Sequence, residues 1–132
     1  MAEIAVTLKQ HEATASMATI RSHQFVIDRP EAKGGNNAGP MGGELLLASV
    51  GGCFMSNLRA AIAAREDVSV ENIVLTVTAT LSDDMKRFSA VHMHVTAAAD
   101  SPELKKLVTI AERACIAANT IKGAVALTVS SD

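Results

Sequence analysis

Cys53 and Cys115 are the only cysteines in this chain of 132 residues. Cys53 follows two glycines within GPMGGELLLASVGGCFMSN, residues 39–57. A glycine inside a helix costs about 1 kcal/mol relative to alanine, so a pair of them asks for a reason. Lacking Cβ atoms, they let backbone or substrate come close to the neighbouring thiol. A thiolate is a nucleophile, and a second thiol can capture its oxidised form as a disulfide. The arrangement therefore suits thiol redox chemistry. The competing reading is two small, inert core residues, the usual role of free cysteine.

The elements that must position these thiols follow from periodicity. Ile4 to Leu8, Ala13 to Ile20 and His23 to Asp28 read as three short strands of an antiparallel sheet. Residues 29–43, RPEAKGGNNAGPMGG, concentrate the turn formers and read as a loop. Glu44 to about Arg65 reads as a helix, apolar on nearly all faces as far as Ile62, hence central and buried. Ile73 to Leu81 alternates cleanly, turns at Ser82-Asp83-Asp84, and is expected to pair with Phe88 to Ala97 as a hairpin. Ser101-Pro102 marks a helix start, and Leu104, Leu107, Val108, Ala111 and Cys115 follow at helical spacing. A short helix from about Ala117 to Lys122 ends at Gly123, and Ala124 to Ser130 reads as a last strand. The order is three strands, helix, two strands, two helices, strand: one α+β domain over residues 1–132, with helices against one sheet.

Composition narrows the function classes. Aromatic residues make up 2% of the chain, with no Trp or Tyr, while 48% is hydrophobic. A core of Ala, Val, Leu, Ile and Met is thin for a lone domain, and a second subunit is expected to complete it. A net charge of −2, with scattered Lys and Arg, argues against nucleic acid. No window is expected to reach the ~18–20 apolar residues of a membrane span without charges and glycines. The start, MAEIAVTLKQ, carries no basic region followed by an apolar one, so a cytoplasmic protein is expected. There a structural disulfide is not expected, which leaves two buried thiols or a redox couple. His92 and His94 share a strand face, but no third ligand stands at suitable spacing. The GGNNAG loop lacks the Gly-Lys-Ser/Thr ending of a phosphate loop.

GPMGGELLLASVGGCF, HQFVIDRP before the glycine-rich loop, the hairpin after the helix and CIAANTIKGAVALTV together resemble the OsmC / organic hydroperoxide resistance family over essentially the whole chain. The resemblance implies an intertwined homodimer with a long, buried central helix carrying the first cysteine, and active sites at the subunit interface. It implies a peroxidase without metal, haem or flavin, in which Cys53 attacks an organic hydroperoxide and Cys115 resolves the sulfenic acid. An external dithiol then reduces the pair. Phe54 could wall an apolar peroxide pocket.

A free thiol near pKa 8.5 also needs an activator. Cys53 lies too far along an unbroken helix for the dipole to serve, unless the helix restarts at Gly51-Gly52. The better-characterised branch of the family uses an arginine from the N-terminal region and a glutamate near the helix start. The resemblance points to Arg21, with Arg29 as the alternative, and to Glu44. Yet Glu44 stands nine residues before Cys53, on the opposite helix face and roughly 13 Å away along the axis. It can orient an arginine, line a partner's site or simply favour the helix N-terminus. That branch also has Asn-Pro-Glu before the helix and Pro after the second cysteine, where this chain has Gly42-Gly43-Glu44 and Cys115-Ile116. The alternative function is a binding protein of the same fold, holding a small hydrophobic ligand at the dimer interface.

Overall fold

The alternation near the N-terminus becomes a three-stranded antiparallel meander in the computed structural model, which describes residues 2–99 and 101–132. Its strands are β1 (Thr7–His11), β2 (Ala15–Ile20) and β3 (His23–Ile27), in the order β1-β2-β3. The first strand starts later than the expected Ile4. Pairing runs from Thr7↔Thr19 to His11↔Ala15, and Ile4 stands 93% exposed before it. β2 and β3 are joined by the two-residue turn Arg21-Ser22, with Arg21 at φ 54 in the left-handed region. Short hairpin turns demand that conformation.

The loop after β3 is organised by one buried carboxylate. Asp28 is 3% exposed and accepts hydrogen bonds from Thr14 Oγ1 (2.9 Å) and from the N–H groups of Arg29, Asn36 and Ala38 (2.7, 3.1 and 3.1 Å). Burial by itself would raise the Asp28 carboxyl. The four donors outweigh burial and hold it below its ordinary value. A 3-10 turn at Glu31–Lys33 follows within the loop. Gly39 is required on steric grounds: a Cβ there would lie 2.1 Å from the Val26 carbonyl oxygen.

The expected long helix is α1 (Gly42–Ala63). By length and mean hydropathy it is the one described helix able to cross a membrane. The expectation concerns runs free of charges and glycines, and Gly51 and Gly52 interrupt this one. Its Val50, Gly51, Phe54 and Leu58 are nevertheless buried in protein, which is the pattern of a core helix.

Contacts gather in two units, Met1–Leu46 and Leu47–Asp132. In the second, β4 (Glu71–Leu81) and β5 (Phe88–Ala98) form an antiparallel hairpin. Ile73, Leu75, Val77 and Ala79 alternate with exposed residues, as expected. α2 (Ser101–Ala114) and α3 (Ile116–Lys122) follow. The expected Ser101 cap falls outside the described side chains. Leu58, Leu107, Ala111 and Cys115, each 0% exposed, centre the core, with Phe54 and Ala118 beside them.

The expected last strand, Ala124–Ser130, does not form; residues 124–130 have no regular structure. Val125, Leu127 and Val129 are 69, 87 and 91% exposed. A strand needs a neighbour for its ladder, and among the described residues none pairs with this segment. The fold is α+β.

Candidate functional site

The two cysteines meet at the junction of α1 with the α2–α3 break. Cys53 lies halfway along α1, half-buried against the cluster that contains Cys115. Cys115 is fully buried and occupies the single residue between α2 and α3, in an extended conformation (φ −80°, ψ 109°). The apolar stripe of α2 carries the chain to this point, where Cys115 N–H donates to the Glu112 carbonyl at 3.2 Å and closes the helix. Cys115 then caps α3. Its Sγ accepts the Ala118 N–H at 3.4 Å, and its thiol faces the Val50 carbonyl oxygen at 4.0 Å. Both thiols are free.

Their surroundings push the two thiols in opposite directions. The Cys53 pKa is lowered, first by the Ala117 N–H, then by the Cys115 thiol, and also by the Ile116 N–H; partial burial opposes the shift. The Cys115 pKa is raised, chiefly by burial. The Ala118 N–H opposes that rise, while Cys53, accepting from the Cys115 thiol and repelling a second negative charge, adds to it. The first N–H groups of a helix have no partner within it. At α3 those of Ile116 and Ala117 favour the Cys53 thiolate, and that of Ala117 also opposes the rise at Cys115. Cys53 is therefore the more acidic of the two thiols.

α1 runs unbroken through Gly51-Gly52, so no helix restart activates Cys53. The two glycines have separate roles. A Cβ on Gly51 would stand 2.9 Å from Val77 Cγ2 and 3.3 Å from Leu75 Cδ2, so Gly51 lets α1 close onto β4. A Cβ on Gly52 would meet nothing within 4 Å, which leaves open space beside Cys53.

The structure brings Cys53 and Cys115 together. Arg21 and Glu44 belong to the other unit, and no arginine is among the described groups that lower the Cys53 pKa. Arg21 occupies the exposed β2–β3 turn rather than a strand, and Arg29 is exposed at the loop entrance. Glu44, in the first turn of α1, accepts the Met41 N–H at 2.8 Å, which is the returning half of a capping box.

His92 and His94 are exposed and stacked, with ring centroids 6.4 Å apart. Among the described residues, no group of three or more His, Cys, Asp or Glu side chains could hold a metal ion.

Sequence reasoning passed over three features. The α3 N–H donors depend on where α2 ends. Asn57 sits one turn beyond Cys53, its Nδ2 3.1 Å from the Cys53 carbonyl oxygen and 3.9 Å from Sγ; an amide one helical turn after the cysteine was the available signal. The third is a cavity of about 830 Å³ along β5, α2 and α3, with Val50, Phe54, Met93, Val108 and Ala118 in its wall. Neither cysteine lines it.

No curated protein sequence matches the chain. Among solved structures, an OsmC-like protein from Mycoplasma pneumoniae superimposes with a TM-score of 0.77 at 18% identity, over 92% of this chain and 89% of the other. An organic hydroperoxide resistance protein OsmC from Legionella pneumophila gives 0.65 at 20% identity, over 93% of each chain. The organic hydroperoxide resistance protein OhrB of Bacillus subtilis gives 0.59 at 19% identity, over 92% of this chain and 91% of the other. These likenesses establish the fold. The family described as OsmC-like protein matches residues 34–130, and with that match over well over half its length the chain belongs to the OsmC-like protein family.

Proposed function

We propose that the chain is a thiol peroxidase for organic hydroperoxides, with Cys53 as the attacking thiolate and Cys115 as the resolving thiol. The reading rests on one observation: the only two cysteines share a site in which one pKa is lowered and the other raised. In the first step the Cys53 thiolate attacks the terminal oxygen of R–O–OH. An S–O bond forms, the O–O bond breaks, and RO⁻ leaves and takes a proton from solvent to become the alcohol. Cys115 sulfur then attacks Cys53 sulfur, the S–O bond breaks, and hydroxide leaves as water with the Cys115 proton. An external dithiol restores both thiols by exchange and is itself oxidised to a disulfide. The organic hydroperoxide resistance proteins among the structural relatives support this substrate class at family level.

The working unit in this reading is a homodimer. Ile4, Val6 and Leu8, and then Val125, Leu127 and Val129, are two rows of exposed apolar side chains at strand spacing, and a second copy is what would cover them. A free-thiol count after one equivalent of cumene hydroperoxide tests the function. Loss of both thiols is expected, with none lost in Cys53→Ser and a single turnover in Cys115→Ser. No loss in the unaltered protein would overturn the peroxidase reading. It would favour a binding protein for a small hydrophobic molecule, the reading to which the 830 Å³ cavity lends support.

A further inference from the structure

Asn57 stands in the middle of α1, and asparagine is among the weaker helix formers because its side chain competes for backbone groups. Here the competition is directed. The side chain folds back one turn and donates from Nδ2 to the Cys53 carbonyl oxygen at 3.1 Å. That bond also fixes which end of the amide faces the carbonyl, since the amide oxygen would repel it. A primary amide carries two N–H groups. With one held by the carbonyl, the other is left at the Cys53 sulfur, 3.9 Å away.

Such a distance is at the long limit for a contact to sulfur, and Asn57 is not among the groups that lower the Cys53 pKa. It is better suited to an atom bonded to that sulfur than to the sulfur itself. The other donors near Sγ are the Ala117 and Ile116 N–H groups and the Cys115 thiol. The thiol must give up its proton when it resolves the intermediate. Asn57 is the neutral side-chain donor that the reaction does not consume.

We propose that Asn57 is a further catalytic residue, whose second amide N–H holds the oxygen that Cys53 takes from the peroxide. It would bind that oxygen as the O–O bond breaks and then orient the sulfenic acid for attack by Cys115. No proton is transferred from the amide, and the balance of the reaction is unchanged. The inference rests on the peroxidase reading for its substrate, but the sulfenic acid can be generated independently.

The test compares two reactions of Cys53 at a pH where it is fully thiolate. In one, hydrogen peroxide delivers oxygen, and oxidised Cys53 is counted by mass as the dimedone adduct of the sulfenic acid together with the disulfide that it forms with Cys115. In the other, iodoacetamide alkylates the sulfur and leaves no oxygen on it. Asn57→Ala is expected to slow the oxidation about tenfold relative to alkylation, less than the ~10²–10³ lost with a single close oxyanion donor because this contact is long. Asn57→Asp, which keeps the shape but replaces the donor with an acceptor, is expected to slow oxidation at least as much. Equal slowing of both reactions, or of neither, would overturn the proposal, as would an Asn57→Asp protein that oxidises like the unaltered one. Cumene hydroperoxide run in parallel separates the two readings. Failure of Cys53 to react with it faster than free cysteine does would refute the peroxidase function, while the hydrogen peroxide to iodoacetamide ratio still decides the role of Asn57.

Discussion

Gly51→Ala sets two effects of similar size against each other at one atom. In an exposed helix the change would stabilise by about 1 kcal/mol. Here the added Cβ would lie 2.9 Å from Val77 Cγ2 and 3.3 Å from Leu75 Cδ2. The leucine methyl ends a flexible side chain and can move. Val77 is β-branched and stiff at χ1, so its methyl moves only with the strand or the helix. Overpacking of this kind costs roughly 1–3 kcal/mol, so the net expectation is a loss of about 0–2 kcal/mol. For a chain of this size that is a fall of roughly 3–5 °C in Tm for each kcal/mol.

Thermal or urea unfolding of Gly51→Ala, Val77→Ala and the double variant isolates the contact. Removing the valine methyls should recover the helix-propensity gain, and the pair should couple favourably by about 1 kcal/mol, within the usual range for touching residues. The same shift of α1 should reach the site. Cys53 is two residues along the helix, so displacing α1 weakens its contacts with the Ala117 and Ile116 N–H groups. Its reaction with iodoacetamide at neutral pH should slow in Gly51→Ala and recover in the double variant. A gain of the full ~1 kcal/mol in Gly51→Ala, with no coupling to Val77, would show that α1 does not meet β4 at this point.

Cys53 should be alkylated at lower pH than Cys115, because α3 N–H donors lower the first thiol and burial raises the second; site-resolved alkylation against pH should give two separate inflections in that order. Ile116→Pro should raise the Cys53 pKa, since it deletes one of the donors, while the extended Cys115 (φ −80°, ψ 109°) already suits a residue before proline; an unchanged inflection would remove the Ile116 N–H from the account. For Asp28 the folded-state carboxyl lies below its ordinary value of 3.8, so its stabilisation of the loop is complete above that value and is lost as the pH falls through the folded-state value. Hydrogen exchange or proteolysis within residues 29–41 should therefore rise on acidification, and Asp28→Asn should show the same exposure already at neutral pH.

What could be read from residue order is what depends on near neighbours. Ile73 to Leu81 announces a strand because alternation is local, and the Leu104–Cys115 stripe announces the buried face of α2 for the same reason. The pairing of the two thiols came from the resemblance to the family and not from a local pattern. Non-local pairing is different: Val125, Leu127 and Val129 alternate as a strand should, yet a ladder needs a second strand, and no property of those residues supplies it. The turn at Arg21 was obscured because arginine there takes a conformation usually left to glycine or asparagine.

The activation of Cys53 shows the same boundary at the level of chemistry. Reasoning along α1 alone leaves its thiol without a helix terminus and calls for a cation, which directs attention to Arg21 and Arg29. The terminus that serves it belongs to another helix, and it exists because α2 stops one residue before α3 begins. Cys115 makes that stop, spending its own sulfur on the Ala118 N–H, while the two preceding N–H groups of α3 favour the Cys53 thiolate and that of Ala117 acts on Cys115 too. In this arrangement the second cysteine lowers the proton affinity of the first. Altering residue 115 should then change the proton affinity of Cys53 as well as its fate after oxidation. Alkylation of Cys53 against pH in Cys115→Ser reads that directly. With the thiol donor replaced by a shorter hydroxyl, the Cys53 inflection should move upward, and an unmoved inflection would show that Cys115 does not tune Cys53.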